Sequence, residues 1–66
     1  MNSTIPELSR RAEQLAGQRN WVEARALYES ILLRVPNHVG TLVQLSYIES
    51  LQGRYRAAHA YAMKAA

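Results

Sequence analysis

Shifted by 34 residues along itself, the chain places Leu8 on Leu42, Ala12 on Ser46, Trp21 on Tyr55, Ala24 on Ala58 and Ala26 on Ala60. A period of about 34 residues is that of paired-helix repeats, in which one unit cannot bury its apolar face alone and stacks on its neighbour. The first copy carries Asn20-Trp21-Val22-Glu23-Ala24, then Tyr28 and Pro36; the second carries Gly53-Arg54-Tyr55, then Ala58 and a helical pattern to Ala66. Sixty-six residues hold no more than two such copies, so the period fixes both the element type and the number of units.

Start and stop signals place four helices. Thr4 is positioned to cap the first, with Pro6 tolerated in the first turn and Glu7 three residues beyond the cap. Leu8, Ala12 and Leu15 mark one face, and Gly17 is the expected stop. Asn20 opens the second helix as a capping-box variant with Glu23. Trp21, Ala24, Leu27, Tyr28, Ile31 and Val35 form its apolar stripe, and Pro36 ends it. Asn37 is the expected cap of the third helix, which runs through Leu42, Leu45 and Ile48 to Gln52-Gly53. Gly40 in its first turns implies close backbone packing or simple tolerance. The fourth starts near Arg54, with Tyr55, Ala58, Tyr61 or Ala62, and Ala65 on one side. No segment alternates with period two, so the expected fold is all-α, with antiparallel neighbours joined by short loops.

These landmarks resemble the tetratricopeptide repeat. With the family's terminal proline set on Pro36, repeat one spans residues 5–38 and a shortened repeat two spans 39–66, together one domain over 1–66. The small residue of the family's first helix then falls on Ala12, and its second-helix aromatic, alanine and further aromatic fall on Trp21, Ala24 and Tyr28. Leu45, Ser46, Gly53, Tyr55 and Ala58 occupy family positions in the second copy. Arg11, Glu49 and Ala62 depart from the pattern, and the last two imply a thinner core in repeat two. The resemblance implies two antiparallel helix-turn-helix hairpins stacked as a short right-handed α-solenoid. Ala12, Ala24, Ser46 and Ala58 would lie at helix crossings, with Trp21, Tyr28 and Tyr55 filling the space around them.

Composition adds bounds. There is no cysteine, which excludes disulfides and thiolate metal sites. A chain this short is marginal on its own core, so stability rests on helix packing, self-association or further repeats. The formal charge is +3, with seven arginines dispersed along the chain and no basic run. That dispersal reads as solvated surface rather than a nucleic-acid stripe. The Met1–Pro6 segment is followed by no apolar run, and Arg10-Arg11 precedes residues too polar for a twin-arginine signal. The expected setting is a bacterial-type cytoplasmic protein with no membrane partner.

No active site is expected. Serines and histidines are present but aspartate is absent, the three glycines are isolated, and His38 and His59 lie far apart. His38 reads as a turn residue, His59 as helix surface, and Glu7 and Glu23 as capping residues. No cofactor and no intrinsic catalysis are expected.

What remains is surface. Carried over by position from the family, the groove holding a peptide or partner helix would be lined by Ser9, Glu13, Val43, Tyr47 and Ser50, with Arg10 and Gln44 at the rim. Ser9 and Glu13 do not match the family's lysine–asparagine carboxylate clamp. The end of the fourth helix, with Tyr61, Ala62, Ala65 and Ala66, is small and apolar and is expected to self-associate or to meet further repeats. The expected function is therefore protein–protein interaction, as scaffold, docking or self-assembly module. The alternatives are an N-terminal recognition domain of a larger enzyme, such as a repeat-fused transferase, and nucleic-acid binding through Arg10, Arg25, Arg54 and Arg56.

Overall fold

The computed structural model describes residues 4–66. Four helices follow one another: α1 (Ile5–Gly17), α2 (Trp21–Arg34), α3 (Val39–Leu51) and α4 (Tyr55–Ala65). No strand occurs among the described residues. α1 packs on α2 and α3 on α4, giving two helical hairpins, and α2 packs on α3 to join them.

The 34-residue period reappears in the backbone. In the first hairpin Gln18 N–H donates to the Gln14 and Leu15 carbonyls, Arg19 N–H to Ala16 O at 2.9 Å, and Asn20 N–H to Leu15 O at 2.8 Å. In the second, Gln52 N–H donates to the Ile48 and Glu49 carbonyls, Gly53 N–H to Ser50 O at 3.1 Å, and Arg54 N–H to Glu49 O at 2.8 Å. Every donor and acceptor is displaced by the same interval. The left-handed residue of each turn is Arg19 (φ 60) in one copy and Gly53 (φ 76) in the other.

The helix starts of α1 and α3 correspond in the same way. Thr4 Oγ1 accepts from Glu7 N–H at 3.3 Å, as expected for a threonine cap. At the equivalent place in α3 the cap is His38, not Asn37: its Nδ1 accepts from Thr41 N–H at 3.3 Å and lies 2.8 Å from Thr41 Oγ1. Asn20 does precede α2, but its side chain makes no capping bond. Its amide is drawn back to Leu15 O and its ψ is 71, far from the extended ψ of 160 that Thr4 uses to reach over its helix. α1 ends at Gly17, as expected, and the left-handed residue of the turn that follows is Arg19. Gly40 marks no close approach, because an added Cβ would meet only the His38 ring edge at 3.8 Å.

Leu8 and Ala12 of α1, Ala24, Tyr28 and Ile31 of α2, and Leu45 and Ile48 of α3 form one apolar core. Of the small residues expected at the helix crossings, Ala12 and Ala24 are fully buried, Ala58 nearly so, and Ser46 half-buried. Tyr28 fills space as expected, but Tyr55 is 71% exposed and fills none. The place of core filler in the second hairpin passes instead to Tyr61, which packs against the core from α4. Glu49, expected to thin the core, is itself 0% exposed.

Candidate functional site

The turn after α1 builds one wall of an open cleft of about 420 Å³. Ala16 and Gly17, the last residues of α1, are small, and the left-handed backbone at Arg19 swings the chain round so that Trp21 opens α2 beside them. Tyr47 and Leu51, one turn apart on α3, supply the facing wall. Two aromatics and a leucine offer apolar surface with polar edges, and Arg19 is the single charge on the lining. The volume falls within the range of ligand clefts, about 300–1,000 Å³. The lining holds no nucleophile paired with a base, so the chemistry available is contact: apolar burial, ring stacking, and an anion held by the guanidinium.

Of the five residues expected to line the groove and the two expected at its rim, only Tyr47, 57% exposed, lies on this cleft. Ser9 is half-buried on α1, while Glu13, Val43, Gln44 and Ser50 are exposed on α1 and α3 outside the cleft lining. Arg10 is likewise exposed. Glu13 acts inward instead: its charge, after burial itself, helps push the Tyr28 phenol above its ordinary pKa. The Tyr28 hydroxyl is buried with no hydrogen-bond partner. Sequence reasoning missed Leu51 and assigned Trp21 to core filling; the half-buried Trp21 serves both core and cleft. The available signal was its position directly after a turn.

A second cluster was also missed. Glu49 Oε1 lies 3.1 Å from Arg25 Nε of α2 and 3.7 Å from Arg54 Nη1 at the start of α4. Arg25 also reaches Glu29 at 3.7 Å. Neither Glu49 oxygen completes a well-aligned hydrogen bond, so the carboxylate is held by charge across the hairpin junction. Beside it, burial and the charges of Glu29 and Glu49 raise the Tyr61 pKa, with Arg25 opposing them. The signal for Glu49 was an acid on the apolar stripe of α3, four residues after Leu45. Two of the four arginines considered for nucleic acid, Arg25 and Arg54, thus converge on one buried carboxylate.

At the other expected surface Tyr61 and Ala65 are half-buried and Ala62 and Ala66 exposed. Among the described residues no group of three or more histidines, aspartates or glutamates is placed to hold a metal ion. No helix among them is long and apolar enough to cross a membrane. Compared with protein-family models, with curated proteins and with solved structures, the chain matches none.

Proposed function

We propose that the chain is a protein–protein interaction module of the tetratricopeptide type, its two hairpins stacked as a short right-handed α-solenoid in a bacterial-type cytoplasmic protein. The observation that carries this reading is the turn geometry repeated at a 34-residue interval, donor for donor. A duplicated hairpin is the unit of repeat proteins, whose extended faces serve as binding surfaces. The cleft between the end of α1 and the end of α3 is the favoured seat for a peptide segment, with an apolar or aromatic side chain between Trp21 and Tyr47 and a carboxylate on Arg19. The nucleic-acid reading has less support, since Arg25 and Arg54 are engaged by Glu49.

The test is selection from a displayed peptide library, followed by nuclear magnetic resonance titration of the selected peptide. Shifts are expected at Trp21, Tyr47 and Leu51. Tyr47→Ala should weaken binding by about tenfold or more, as loss of a central interface aromatic does. Leu33→Ala, on an exposed part of α2, should leave it unchanged. No peptide above background, or equal losses in the two variants, sinks the reading.

A further inference from the structure

In the second hairpin, Leu45 and Glu49 of α3, the helix on which α2 packs, are fully buried, and Tyr61 of α4 is half-buried against the same core. Arg25 of α2 reaches Glu49, and the charge of Glu29 of α2 reaches Tyr61. Moved back by one 34-residue period, the same positions are Arg11, Leu15 and Leu27. In the first hairpin these three, with Glu23 and Ala26, line an open groove of about 220 Å³. The first hairpin therefore carries the same helix seat as the second, and none of the described residues covers it.

We propose that this seat receives α4 of a second copy of the chain, in a directional head-to-tail contact. The helix that fills the seat on the second hairpin is α2, and its repeat equivalent is α4. Moved by one period, Arg25 becomes His59, Glu29 becomes Met63, and Tyr28 and Ile31 become Ala62 and Ala65. His59 then meets Leu15, the equivalent of Glu49. The two members of the buried ion pair are replaced together, so seating α4 buries no unpaired carboxylate. Met63, 64% exposed, meets Leu27. Alanines at the centre make the contact thin, so association is weak and develops only at high protein concentration.

Charge selects this polarity over a symmetric pairing of two α4 helices. α4 carries Arg56 and Lys64 and no acid. The seat carries one acid, Glu23, and one base, Arg11. Two α4 helices face to face would set like charges together, whereas the seat, with one acid and one base, presents α4 with no net charge of its own sign. A head-to-tail contact is heterologous and extends into chains of copies unless it closes into a ring.

The proposal rests on the stacked-repeat reading, and its test leaves the peptide cleft untouched. Sedimentation of the wild type across rising concentration should show growing mass. Gln14→Arg with Ala26→Arg blocks the seat at exposed positions, Gln14 being the equivalent of buried Ile48. Ala62→Arg blocks the α4 face; Met63→Arg replaces it if circular dichroism shows lost helix. Each variant alone should be monomeric. Mixed in equal amounts, they should give a 1:1 dimer and nothing larger, since one good seat and one good α4 remain. A wild type that stays monomeric at millimolar concentration overturns the proposal, as does a mixture that stays monomeric or a seat variant that still associates. If Tyr47-dependent peptide binding persists in that event, the copy contact fails alone and the interaction-module reading stands.

Discussion

The two hairpins share a backbone plan and divide the core unequally. In the first, the second helix is the buried one: α2 contributes Ala24, Tyr28 and Ile31. In the second, the first helix is: α3 contributes Thr41, Leu42, Leu45, Ile48 and Glu49, while α4 buries only Ala58. The central helices α2 and α3 thus carry the core, and α1 and α4 are its flanks. Repetition sets the geometry of each turn, whereas position in the helix order decides what a given side chain is worth. Leu15 and Glu49 occupy equivalent places, yet one is a half-buried apolar residue and the other a buried carboxylate.

Breaking the junction should cost most. Arg25→Ala leaves Glu49 with only Arg54, at 3.7 Å, and should destabilise by about 3 kcal/mol in chemical denaturation, as removal of one partner of a buried pair does. The double change Arg25→Met with Glu49→Leu should recover wild-type stability or exceed it, because neither carboxylate oxygen was well hydrogen-bonded. A double variant as unstable as the single would mean that the charges, not their mutual need, hold the hairpins together.

Overpacking comes next. Ala24→Leu should cost about 1–3 kcal/mol and clearly lower the Tm, since the residue is fully enclosed between α1 and α2. Its equivalent Ala58→Leu should cost less, because α4 lies at the flank and has room to shift. Equal losses would show that both crossings are equally tight.

The paired turns give a smaller and opposite-signed test. Arg19 holds φ 60 without being glycine, so Arg19→Gly should stabilise by up to about 1 kcal/mol. Gly53→Ala, at φ 76, should destabilise by about 1 kcal/mol. Matching thermal shifts of opposite sign would establish the turns as one structural element written twice.

How much of this was legible follows from where each signal resides. Helix number, the Thr4 cap and the Gln52-Gly53 stop depend on a few neighbouring residues, and all three can be read locally. Asn20 and Asn37 could not be resolved that way. Asn20 has the side chain of a cap, but the tight return of its amide to Leu15 O sets a backbone angle from which it cannot reach. At Asn37, capping passes one residue on to an imidazole, which satisfies the same orphan amide. The partners of Glu49 and the exposure of Tyr55 depend on how one hairpin lies on the other, which no local pattern encodes. For the same reason the expected groove contributed only Tyr47 to the cleft, since residues facing one side of two helices still need a turn to wall them in.

The smallest expected effect is on alkaline stability. Burial raises the Tyr28 and Tyr61 pKa values above the ordinary 10.0. The unfolded chain loses these protons first as pH rises, so it binds fewer protons than the folded chain and stability falls. The contribution is full below about pH 10, the unfolded value, and disappears as pH passes the raised folded values. Tyr28→Phe should flatten part of that fall and be neutral or stabilising near neutral pH, as it removes a hydroxyl with no partner. Thermal melts across the alkaline range, wild type against variant, compare the α2 phenol with the α4 phenol.

Trp21 is the chain's single tryptophan, and it stands at the joint of the first hairpin with its ring on the open cleft. The protein therefore carries one indole reporter, placed where the α1–α2 turn faces Tyr47 and Leu51 of α3. Its emission should respond both to occupancy of the cleft and to melting of the α1–α2 pair. Loosening of α4 should pass unseen in that channel and appear only in tyrosine emission. Unfolding followed at both wavelengths would compare the indole at this junction with the tyrosines of α2, α3 and α4, without adding a label.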